Sequence, residues 1–158
     1  MQYTINVISA IVASAVLTTF MTPFGTNYLA AQENLIVRDS ETVLLEGMTI
    51  PAGGFIHLYD STPYMITNGH IAANIPCDEN STSPFVVLTG QAPNVTAADL
   101  EVVNELSTPG TMCIYHVDIP PQNATVTDVA IQNPTESDEE LPAGSTVLIG
   151  VNEIMPIG

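Results

Sequence analysis

Three histidines, two cysteines and seventeen carboxylates are the side chains able to do chemistry here, set against one arginine and no lysine. His57, His70 and His116 are natural ligands for zinc or copper, since imidazole nitrogen suits both ions. None of them stands in a diagnostic spacing such as His-Glu-x-x-His, so they become a site only where the fold brings them together. Met65 and Met112 would add soft thioether ligands for copper, although methionines in strands commonly fill core space. For calcium, the clustered oxygens are Asp78-Glu79-Asn80 and the run Glu136-Ser137-Asp138-Glu139-Glu140, without the spacing of an EF-hand. A metal ion is the one cofactor these residues suggest, and no organic cofactor is expected.

Cys77 and Cys113 admit two readings. His116, three residues after Cys113, invites a thiolate–imidazole metal site. On a strand, however, positions three apart point to opposite faces and would not converge on one ion. A disulfide fits better, because an even cysteine count in an exported chain reads that way. Closing a loop of that size stabilises the fold by roughly 4 kcal/mol on the chain-entropy model.

The segment Met65-Ile66-Thr67-Asn68-Gly69-His70-Ile71-Ala72 resembles the one that carries the catalytic histidine in trypsin-like serine proteases of the heat-shock type. Thr127-Asp128-Val129-Ala130-Ile131 resembles their aspartate segment. The resemblance implies His70 as general base and Asp128 as the group that orients it. It stops at the nucleophile. No Gly-x-Ser-Gly-Gly follows, Gly144-Ser145-Thr146 is a poor substitute, and fewer residues follow Asp128 than a second barrel needs. Without a nucleophile and an oxyanion hole the pair has nothing to activate. The plain alternative is an Asn-Gly hairpin turn and a strand with one outward acid.

The charges are distributed unevenly. Residues 1–32 hold no charged side chain, and Ile5 to Phe20 is mostly apolar. That run is short for a membrane span, which wants about 20 apolar residues, but suits the apolar region of a secretory signal. Small residues near Ala31 offer a cleavage point, while the missing basic start leaves a retained anchor or a buried helix open. Residues 33–158 form the acidic domain, one core's worth of chain. A net charge of −16 excludes nucleic acid as a partner, because phosphates need a cationic footprint. It also repels anionic headgroups, leaving the N-terminal segment as the sole membrane contact. Three sequons, at Asn80, Asn94 and Asn123, fit an exported chain, and Asn133-Pro134-Thr135 is excluded by its proline.

Short β-rich runs separated by Gly, Pro, Asn and Asp must position these groups. They are residues 34–37, 42–45, 54–59, 64–67, 70–75, 85–88, 111–117, 126–131 and 146–151. Asn68-Gly69 predicts a hairpin turn, the alternation of Thr127, Val129 and Ile131 a half-buried strand, and residues 113–117 a central one. Residues 97–106 carry the one helical pattern. The predicted fold is all-β: a two-sheet sandwich or small barrel with one short helix, preceded by an N-terminal hydrophobic helix.

The stretches Phe55–Cys77, Cys113–Asp118 and Ser145–Ile154 look like uncharacterised exported proteins of ammonia-oxidising archaea. That resemblance implies export and a compact β domain, with no catalytic residues. The expected function is a non-enzymatic secreted or cell-surface β domain with a structural or binding role. Its partners would be a second copy or another cell-surface protein, with residues 33–37 as a strand to donate. The alternatives are an extracellular protein that binds copper, zinc or calcium, and a degenerate protease half.

Overall fold

The computed structural model describes residues 35–120 and 124–158. The N-terminal hydrophobic segment and Asn123 lie outside the described residues. Among the described residues, no helix is long and apolar enough to cross a membrane.

The β-branched and aromatic runs pair into strands β1 (Leu35–Leu44), β2 (Thr49–Ile50), β3 (Phe55–Asp60), β4 (Tyr64–Pro76), β5 (Val86–Gln91) and β6 (Asn94–Ala97). They continue as β7 (Glu101–Val102), β8 (Met112–Ile119), β9 (Asp128–Gln132), β10 (Glu139–Glu140) and β11 (Thr146–Pro156). The pairings are antiparallel throughout. One sheet runs β1-β11-β4-β8-β7, a second β3-β9-β5-β6, and β10-β2 form a small third. The two larger sheets share one apolar core: Ile66, Ile71 and Ile75 of β4 and Val147 and Ile149 of β11 cluster with Val87 of β5 and Val129 and Ile131 of β9. The result is all-β and sandwich-like.

Two expectations need correction. Asn68-Gly69 makes no hairpin; β4 runs through it as one strand of 13 residues. The glycine is there for close approach. A β-carbon at Gly69 would lie 2.5 Å from the Gly150 carbonyl oxygen and 3.2 Å from Ile119 Cγ1, beside the register shifts where β11 passes β4. Glycine within a strand marks such bulges and tight backbone contacts as well as turns. Residues 97–106 form no α-helix either. Glu101 and Val102 pair with His116 and Tyr115 on β8, and the one helical turn is a 3₁₀ turn, Asn104–Leu106. Edge pairing satisfies this backbone, held further by Val103 N–H donating to the Ile114 carbonyl and Ile114 N–H donating to Ser107 Oγ.

The disulfide is present. Cys77 and Cys113 are bonded, with Cα atoms 5.7 Å apart and a sequence separation of 36, so the bond ties the end of β4 to the start of β8. Reduction, or Cys113→Ser, should lower unfolding free energy by roughly 2–5 kcal/mol in urea denaturation.

Asn133 holds the acidic segment in place. Its side chain is fully buried, and its Nδ2 donates to the carbonyls of Ile50 and Ser137 at 3.0 and 2.7 Å. Its Oδ1 accepts from the N–H and the hydroxyl of Thr135. Asn133→Ala removes this donor from the buried Ile50 carbonyl and the link to Ser137 and should cost about 2–4 kcal/mol in the same assay.

Candidate functional site

Two histidine arrangements emerge, one on each large sheet. On the four-stranded sheet, β3 lies beside β9 and its register is broken between His57 and Tyr59. There His57 Nε2 meets Asp128 Oδ1 at 2.8 Å. Asp128 is almost fully buried. Its other oxygen accepts the Ala92 N–H at 3.0 Å and the hydroxyl of Thr127. Burial pushes this carboxyl up, yet the Thr127 hydroxyl, the Ala92 N–H and His57 outweigh it, and its pKa falls below the ordinary value. Asp128 shares with Ala130 the face of β9 opposite the core residues Val129 and Ile131, as the alternation predicts, but it is buried there, covered by His57 of β3, Thr127 just before β9 and the turn between β5 and β6.

The pairing also differs from the one the protease resemblance implies. His70 lies on β4 of the five-stranded sheet, and Asp128 on β9 of the other sheet is held by His57. Such a pair could orient an imidazole for proton transfer. Among the described residues, though, no hydroxyl or thiol is hydrogen-bonded to the His57 ring. Nothing in the sequence marked this pair: its members stand 71 residues apart, and only the β3–β9 register joins them.

On the five-stranded sheet, alternation sends Ile71, Ala73 and Ile75 inward and His70, Ala72 and Asn74 to the other face. On β8, Cys113, Tyr115 and Ile119 are buried, while His116 and Asp118 share the outward face. The register sets His70 opposite Asp118 and Ala72 opposite His116, so the two histidines are diagonal neighbours. Their rings stack with centroids 6.0 Å apart and planes 28° from parallel. His116 Nε2 lies 3.9 Å from Asp118 Oδ1, and Glu101 of β7 is the cross-strand partner of His116. Gly150 of β11 makes room beneath: a β-carbon there would collide with the His70 ring atoms Cε1, Nε2 and Nδ1.

The three candidate metal ligands thus divide. His70 and His116 come together, and His57 sits on the other sheet. Among the described residues no group of three His, Cys, Asp or Glu is arranged to hold an ion. The calcium candidates have structural partners. Asp78 Oδ1 accepts the N–H groups of Asn80 and Thr82, and Asp138 Oδ1 accepts that of Ala52. Glu139 and Glu140 form β10 against β2.

A third cluster joins the sheets at their margin. The Tyr59 phenol is pushed up to about 12, chiefly by burial and then by Asp39, Glu41 and Asp60. Burial and Asp39 likewise raise Glu41. The sequons at Asn80 and Asn94 are exposed.

Compared with known proteins, the chain matches no family model, no curated protein and no solved structure.

Asp128 makes a pH test. A carboxyl whose folded pKa is lowered contributes stability that is present above its unfolded value and lost as pH falls through the folded one. Asp128→Asn should cost about 1–3 kcal/mol at pH 7. The gap from wild type should shrink below the ordinary value of 3.8, as denaturant melts at pH 7 and pH 3 would show. An equal loss at both pH values would mean that the ionised carboxylate is not what matters.

Proposed function

We propose that this chain is a non-enzymatic secreted or cell-surface β domain with a structural or binding role. In this reading residues 1–32 act as a signal peptide or a retained membrane anchor, and the fold is a two-sheet sandwich. The observation that carries the proposal is the Cys77–Cys113 disulfide, because such bonds persist in oxidising compartments and are rare in reducing ones. The charge of −16 suits a solvated outer surface and attracts cations and basic partners. Exposed Asn80 and Asn94 are sterically open to glycosylation. Asp128 supports a structural use of its histidine pair, since its two oxygens hold a strand, a hydroxyl and a turn.

Self-association or docking on another cell-surface protein would proceed by strand addition. Leu35 and Ile36, expected as a strand to donate, pair with Ile154 and Glu153 of their own chain. The surface on offer is therefore the outer edge of β1, where Ile36 and Leu44 are about 70% exposed. This edge is partly guarded by a register shift between Ile36 and Asp39, with Arg38 at a φ of 52°, since bulges and charges discourage indiscriminate pairing.

An antibody to the domain should label intact, unpermeabilised cells or recover the protein from the medium. Alkylation of native material should find neither cysteine free. Recovery from the cytosol with both thiols reactive would remove the reading. A strict monomer at high concentration in size-exclusion chromatography would remove the self-association alone.

A second reading, metal binding outside the cell, is favoured by one observation, the stacked His70–His116 pair.

A further inference from the structure

We propose that His70 and His116 form a two-imidazole site for a divalent first-row metal ion on the outward face of the five-stranded sheet, Cu²⁺ ahead of Zn²⁺. Asp118 and water would complete the coordination. The site rests on the second, metal-binding reading above, and it and the structural role with its strand addition can each fail without the other.

The geometry rests on strands. β4 and β8 are adjacent and in unbroken register from Gly69↔Ile119 to Pro76↔Met112, and the disulfide locks the end of that pair. Ligands carried on a rigid pair of strands keep their spacing better than ligands on loops. Metal–nitrogen bonds of about 2.0–2.1 Å place two imidazoles that share an ion with centroids on the order of 5 Å apart. The rings stand at 6.0 Å with planes 28° from parallel, so binding needs a closure of roughly an ångström and a turn of one ring that aims both nitrogen lone pairs at one ion. Rotation of His116 supplies it, because that side chain is half exposed. Asp118 is exposed and 3.9 Å from His116 Nε2, close enough to swing an oxygen to the same ion. No three-ligand group is assembled among the described residues, so both the His116 ring and Asp118 have to move onto the ion.

Two features of the surroundings favour a cation here. Gly150 lets the His70 ring lie against the sheet beside His116, where any side chain would displace it. Glu101 stands across from His116, and the chain's charge of −16 raises the local concentration of divalent ions. Imidazole nitrogen with carboxylate and water oxygen selects against calcium and magnesium, and the Irving–Williams order places Cu²⁺ above Zn²⁺.

The test is titration of the full chain, purified without a histidine tag, with CuCl₂ against a weak competing chelator, followed by electron paramagnetic resonance. One equivalent should bind, with two-nitrogen equatorial coupling in the spectrum. His70→Asn and His116→Asn should each weaken binding by at least about ten-fold and remove one nitrogen from the coupling. His57→Gln, on the other sheet, should bind as wild type does. Circular dichroism reports whether each variant is folded, and His116→Asn, at the half-exposed position, carries the test should His70→Asn fail to fold. Unchanged affinity in folded His116→Asn, or a spectrum with oxygen ligands alone, would overturn the proposal.

Discussion

Ile66, Ile71, Ala73 and Ile75 are buried on one face of β4, and the inward position of that face constrains the rest of the molecule. β4 is the middle strand of the five-stranded sheet, paired over most of its length with β11 on one side and β8 on the other. Slipping it by one residue would bring His70 and Asn74 into the core and expose the isoleucines. Burial of about 25 cal/mol per Å² of apolar surface makes such a slip untenable. The same alternation that buries the isoleucines therefore sets His70 on the outer face, where β8 brings His116 beside it. The packing of the core and the histidine pair are two consequences of one register.

The acidic composition has a structural side that net charge alone hides. The chain holds a single arginine for seventeen carboxylates, and several of the carboxylates take backbone N–H groups. Asp39 accepts from Ser40, Asp60 from Thr62, Asp78 from Asn80 and Thr82, and Asp138 from Ala52. Aspartate in turns commonly acts this way, its side chain standing in for a backbone acceptor. Asp128 is the buried version of the same habit, with His57 and Thr127 added. Of the acids that look from their clustering like cation ligands, Asp78 locks its own turn and Asp138 ties its segment to Ala52. The nearest approach to a metal site is found where histidines meet.

Strand content was readable in the chain because β-branched runs are local and turn residues punctuate them. Most of the expected runs lie within strands, yet two of the boundaries dissolve: residues 35–37 and 42–44 belong to the single β1, as 64–67 and 70–75 belong to β4. In β1 the gap is bridged by the register shift near Arg38. In β4 it is bridged through Gly69, which serves a close approach to Gly150. Gly69 could be told from a turn glycine only once its neighbour in space was known. β2, β6, β7 and β10 are two to four residues long, too short for a periodic pattern to show.

By itself the sequence determined the all-β class, the single cysteine pair that bonds, and the acidic surface, since composition, alternation and turn chemistry act over a few residues. Tertiary structure alone decided which side chains meet. Asp128 takes His57 rather than His70 because β9 pairs with β3, and His70 takes His116 because β4 pairs with β8. Alternation says only which face a residue occupies. Its neighbour across the sheet is set by the register of strands far apart in the chain, and that register is fixed by burial of a core no local pattern contains.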